Sequence, residues 1–170
     1  MSRNARLTLA TLCATLAAAW LITTLTEWAA AAFGIELPPQ HSLDIILNAR
    51  GLRLALLLAY VVVLAPFAEE AVFRLLLFKW SLAALKAVSR RPAPAAAVAV
   101  VAVVSSALFT ATHYIEMPFP DNAFVTLFAF GLIMCWLYRK TGSIWCPILL
   151  HTLFNGANLA FAFAFPDLAK

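Results

Sequence analysis

Five apolar runs parted by short polar connections organise this chain. The first, residues 7–26, follows Arg3 and Arg6. At about 20 residues it exceeds the roughly 7 to 15 apolar residues of a cleavable signal peptide, so it reads as a retained first span. A polar stretch over residues 34–50, carrying Pro38, Pro39, His41 and Asp44, then reads as a loop with a short interfacial helix around residues 43–47. The second run begins at Leu52 and continues past Glu69, Glu70 and Arg74 to Phe78. Residues 81–88 are amphipathic at best, and Ser89, Arg90, Arg91, Pro92 and Pro94 form a basic, proline-broken connection expected at the membrane surface. The third run, residues 95–112, ends in a loop with Glu116, Pro118, Pro120 and Asp121; the fourth covers residues 123–138 and the last residues 144–165. The pattern predicts an all-α polytopic transmembrane bundle of about five or six spans, the sixth arising if Pro66 breaks the second run so that Glu69 opens a new helix.

Composition makes the membrane reading firm. Hydrophobic residues make up 64% of the chain and charged residues 12%, with a mean hydropathy of +0.91, values that leave too few polar groups for a water-facing surface. Its 170 residues accommodate one membrane domain, 1–170, and no additional soluble one. The net charge of +4 does not point to nucleic acid, because the Lys and Arg residues sit in short clusters between apolar runs, where topology determinants belong. Basic residues (Arg3, Arg6, Lys79, Lys86, Arg90, Arg91, Arg139, Lys140) and acidic ones (Glu36, Asp44, Glu116, Asp121) fall on alternate connections. That alternation places the amino terminus in the cytoplasm. Cys13, Cys135 and Cys146 are odd in number and lack metal spacing, so they read as structural thiols.

Chemistry is confined to a few polar residues inside the runs. An intramembrane carboxylate costs roughly 2.5 to 3.5 kcal/mol on insertion scales, so each needs a reason to be there. Glu70 and Arg74 are four residues apart and can pair on one helix face, a structural role. Glu69 is turned by about 100° to another face and has no local partner, which makes it the better functional candidate. His113 and His151 sit in comparably apolar surroundings; each alone reads equally well as a packed core residue. His151 and Asn155 are four apart, so both project from one face, although Asn155 alone also suits helix packing.

Taken in order, Pro66-Phe-Ala-Glu69-Glu70-Ala-Val-Phe73-Arg74, Phe109-Thr-Ala-Thr-His113 and His151-Thr-Leu-Phe-Asn155 resemble the three signature motifs of the CPBP family of intramembrane proteases, the CAAX proteases and bacteriocin-processing enzymes. The approach to the third motif, residues 138–148, is similar to the family's as well, and the resemblance covers roughly residues 60–160. It implies a glutamic-type intramembrane endopeptidase without cofactor or metal. Glu69 with His113 would activate a water against a peptide carbonyl, His151 and Asn155 would stabilise the oxyanion, and Glu70 and Arg74 would support the site. The implied partners are membrane lipid and a hydrophobic or membrane-anchored protein or peptide substrate, with C-terminal sorting-signal cleavage or peptide maturation as the activity. The compact, alanine-rich chain resembles the bacterial type, which implies the inner membrane.

Other readings remain open on sequence. A non-catalytic binding or immunity protein of the same family would need no reactive cluster, whereas here the matched catalytic positions are all filled. A proton-coupled carrier would be expected to carry paired repeats and more spans. A zinc hydrolase using Glu69, His113 and His151 has a plausible ligand set but lacks an HExxH helix. Five simple crossings also leave a mismatch in depth: His113 falls at the outer end of the third run, while His151 lies only about 10 Å from the inner end of the last.

Overall fold

The computed structural model describes residues 2–36, 41–115 and 123–165. Six helices account for them: α1 (Arg3–Ala32), α2 (His41–Asn48), α3 (Gly51–Ser89), α4 (Ala95–His113), α5 (Ala123–Thr141) and α6 (Trp145–Ala164). Five of these, all but α2, are long and apolar enough to cross a membrane. Among the described residues there is no strand, and the fold is an all-α helical bundle. The short helix expected around residues 43–47 is present as α2. The prolines and acidic residues expected in the loops at 37–40 and 116–122 lie outside the described residues.

Local chemistry sets the helix ends. Ser2 Oγ accepts a hydrogen bond from the Ala5 amide at 3.2 Å and caps α1. Arg90 closes α3 in the left-handed region at φ 56°, with Pro92 and Pro94 following to prevent its continuation. Gly142, at φ 66°, ends α5 by donating its amide to Tyr138 O at 2.8 Å.

Two sequence expectations change in α3. Pro66 does not break the run, so there is no sixth crossing among the described residues, and the helix does not end with the apolar run at Phe78 but takes in the amphipathic residues 81–88. A π-helical stretch, Tyr60–Leu64, lies just ahead of the proline, followed by α-helical Ala65–Glu70 and a second π stretch, Ala71–Lys79. The wider turn absorbs what the proline removes: Ala65 donates five residues back to Tyr60 O, and the helix passes through Pro66 without a break. At 39 residues, α3 spans about 58 Å along its axis, about twice the thickness of a bilayer's hydrocarbon core.

The remaining helices pack around α3 and one another. α1 lies against α5 and α6, and α4 and α5 form the most extensive pair. Gly131 of α5 faces Ser106 of α4 so closely that an added Cβ would sit 2.9 Å from the Ser106 Cβ. The core gathers Phe73, Phe109, Phe130, Met134, Leu137, Cys146 and Leu150. Outward-facing positions are themselves apolar, with Trp20, Trp28, Trp80 and Trp145 among them. That is the inversion expected of helices whose backbones are internally bonded and whose outer faces meet lipid. Cys135 and Cys146 are buried free thiols as expected, whereas Cys13 faces outward.

Candidate active site

Three helices bring the polar residues together. The α-helical segment between the two π stretches of α3 carries Glu69 and Glu70, α4 ends on His113, and α6 carries His151 in its second turn. Glu69 Oε2 lies 3.8 Å from His151 Nε2 and 4.0 Å from His113 Nε2. That oxygen is buried and has no direct hydrogen-bond partner. The two gaps are too long for direct hydrogen bonds and suit a bridging water.

The depth mismatch between the histidines disappears because the helices are staggered. From Glu69 to Ser89 the chain descends about 30 Å along α3, and from Ala95 to His113 it climbs back about 27 Å along α4. His113 therefore returns to the level of Glu69. The discrepancy came from assuming that every connection lies at one membrane level, whereas the extra length of α3 sets its connection to α4 far from the site.

The neighbouring carboxylate is arranged differently. Glu70 and Arg74 are both fully buried, with Arg74 Nε 2.9 Å from Glu70 Oε2. Glu70 Oε1 faces His151 Nδ1 at 3.0 Å. Since a carboxylate accepts, Nδ1 of His151 carries the proton, and Nε2 is turned toward Glu69. His113 is fixed in the same sense, because its Nδ1 lies 2.9 Å from Phe109 O, and a carbonyl only accepts. Both neutral imidazoles thus present an acceptor nitrogen to Glu69. Donation from His151 Nε2 requires the imidazolium, and of the two histidines His151 is the one whose Nδ1 faces a carboxylate.

Aromatic rings enclose this cluster. Phe109 meets Phe73 edge to face at 5.3 Å, lies 4.7 Å from the His113 ring and 6.0 Å from the His151 ring, and carries the Arg74 guanidinium 5.1 Å above its face. Phe130 packs 4.9 Å from His151 and 4.7 Å from Phe154. Phe109 was visible as the first residue of its motif. Phe130 was missed, because one phenylalanine among 13 carries no mark of its place beside a histidine.

Asn155 is on the same face of α6 as His151, but its amide is engaged elsewhere: Nδ2 donates to Val61 O on α3 at 2.9 Å. The structure therefore gathers Glu69, Glu70, Arg74, His113 and His151 at one locus, with Asn155 a turn along α6, bridging to the first π stretch. No group of three His, Cys, Asp or Glu side chains among the described residues is placed to hold a metal ion.

Fold and site define a class: a polytopic membrane protein with a carboxylate and two imidazoles enclosed between its crossings. The chain belongs to the family described as type II CAAX prenyl endopeptidase Rce1-like, which it matches over residues 51–157. It is an integral membrane protein of a protease family. No curated protein and no solved structure matches the chain. The matched region runs from the start of α3 to two residues beyond Asn155, and so includes every residue of the cluster.

Proposed function

We propose that the protein is an intramembrane endopeptidase in which Glu69 is the general base. The observation that carries this reading is the placement of Glu69 Oε2 within 4.0 Å of two imidazole nitrogens, gaps of a length that one bridging water spans. Water held there passes a proton to Glu69 while its oxygen bonds to the peptide carbonyl carbon. His113 orients the carboxylate and shares its proton. The negative oxygen of the tetrahedral intermediate is met by His151 as imidazolium, steadied by Glu70. The C–N bond then breaks and the proton carried by Glu69 goes to the leaving amine, so one water is consumed per bond.

The substrate is a membrane-anchored protein or peptide with a hydrophobic carboxy-terminal segment, cleaved for sorting or maturation. The host is bacterial and the membrane its inner one, with the amino terminus cytoplasmic. These readings rest on the alanine-rich composition, the family, and the alternation of basic and acidic connections.

Protein reconstituted in liposomes and incubated in ¹⁸O-water with lipid-anchored peptides, one of them a farnesylated CAAX peptide, tests the reaction. Cleavage should place one ¹⁸O in the new carboxylate at early times, and Glu69→Gln should give no product. Undiminished cleavage by Glu69→Gln would overturn the assignment of the base.

A further inference from the structure

The two π stretches flank the short α segment that carries Glu69 and Glu70, and each receives a hydrogen bond from a neighbouring helix. Asn155 Nδ2 of α6 donates to Val61 O in the first, at 2.9 Å. Ser105 Oγ of α4 donates to Phe73 O in the second, at 2.9 Å. Those two helices are the ones that bear the histidines: Asn155 lies one turn beyond His151, and Ser105 lies eight residues before His113.

Val61 O has a specific reason to need a side chain. In the π pattern Ala65 donates to Tyr60 O, so the next donor, at residue 66, would serve Val61 O. Residue 66 is proline and has no N–H. The carbonyl it leaves open faces α6 inside the membrane bundle, where no lipid atom can donate to it. Asn155 supplies the bond, and in doing so fixes the helix of His151 against the helix of Glu69.

We infer that Asn155 and Ser105 are positioning residues for this site: through Val61 O and Phe73 O they hold α6 and α4 against α3, and so set the gaps between Glu69 and the two histidines. The inference rests on the proposed site for its meaning. Its structural part, that Pro66 creates the need for Asn155, stands without any substrate.

The test is a set of variants of the full chain in detergent or liposomes, read in three ways. Asn155→Ala should lower the melting temperature by about 3–6 °C. Pro66→Ala, which returns an N–H to the helix, should remove most of that loss when combined with Asn155→Ala. Asn155→Ala should also shift the imidazole resonances of ¹³C-labelled His151, and the double variant should return them toward wild type. On an internally quenched farnesylated CAAX peptide, Asn155→Ala should lower kcat about 10- to 100-fold with little change in KM, and Pro66→Ala should restore a large part. Ser105→Ala should shift the His113 resonances, whereas Ser105→Thr, which keeps the hydroxyl, should leave them in place.

A melting loss for Asn155→Ala that is the same with and without the Pro66→Ala substitution would overturn the link through Val61. Restored melting with histidine resonances that never moved would make the bond a fold element only, and overturn the positioning role. Restored melting and resonances with kcat still lost would show that Asn155 serves the oxyanion directly, overturning the inference that it acts through α3. If the wild-type protein leaves the peptide uncut, the proposed substrate fails, while melting and resonances still decide this inference.

Discussion

Glu69 and Glu70 are adjacent in sequence, yet the two faces of α3 on which they lie have opposite characters. On the Glu70 face both charged side chains are buried and closely paired: Arg74 Nε stands 2.9 Å from one oxygen and His151 Nδ1 3.0 Å from the other, with no exposure of either charged side chain. On the Glu69 face the nearest nitrogens stand 3.8 and 4.0 Å away, and about a quarter of the side chain remains accessible. A carboxylate held at close distances on both oxygens is a structural anchor, whereas one whose nearest nitrogens stand beyond hydrogen-bond reach is left open to a bridging reactant. The lesson is that, in a membrane interior, a site becomes reactive where a carboxylate is left without a close partner, and it stays in place because the neighbouring carboxylate is held by an ion pair and an imidazole.

The sharpest way to break that contrast is to remove Arg74. Arg74→Ala leaves the Glu70 charge buried without its cation, and should cost about 3–5 kcal/mol of stability, read as a lowered melting temperature in detergent. The paired replacement Glu70→Gln with Arg74→Met should recover most of that stability, because neither charge remains. It should still cleave poorly, since His151 would then lack the carboxylate that stabilises its imidazolium. Recovery of both stability and cleavage would mean that the Glu70 face has no part in the chemistry.

A smaller effect tests whether the frame or the charges hold the site. Gly131 lies against Ser106, next to Ser105, so Gly131→Ala should push α5 from α4 at a cost of about 1–3 kcal/mol. Unchanged melting would show that the α4–α5 contact is loose and that α4 is placed by α3 alone.

The sequence made much of this legible. Apolar runs of bilayer length located the five crossings, and the four-residue spacing of Glu70 and Arg74 anticipated their pairing. What periodicity could not express was stagger, since it registers how long a helix is and not the level at which it begins. Hence His113 and His151 looked far apart in depth although both reach Glu69. Pro66 misled for a related reason. Its missing N–H is a local defect in sequence, but the repair comes from Asn155, 89 residues away, and no local rule contains that bond. The proton on Nδ1 of His151 was likewise invisible, because it depends on Glu70 reaching across from another helix.

The division of labour between the two carboxylates is tested most directly by measuring peptide cleavage and melting temperature together for Glu69→Gln and Glu70→Gln in the same membrane preparation. The account predicts that Glu69→Gln melts like the wild type while losing about 10²–10⁴-fold in cleavage rate, and that Glu70→Gln melts at a clearly lower temperature. Cleavage retained in Glu69→Gln and lost in a Glu70→Gln protein of undiminished stability would exchange the two roles and contradict it.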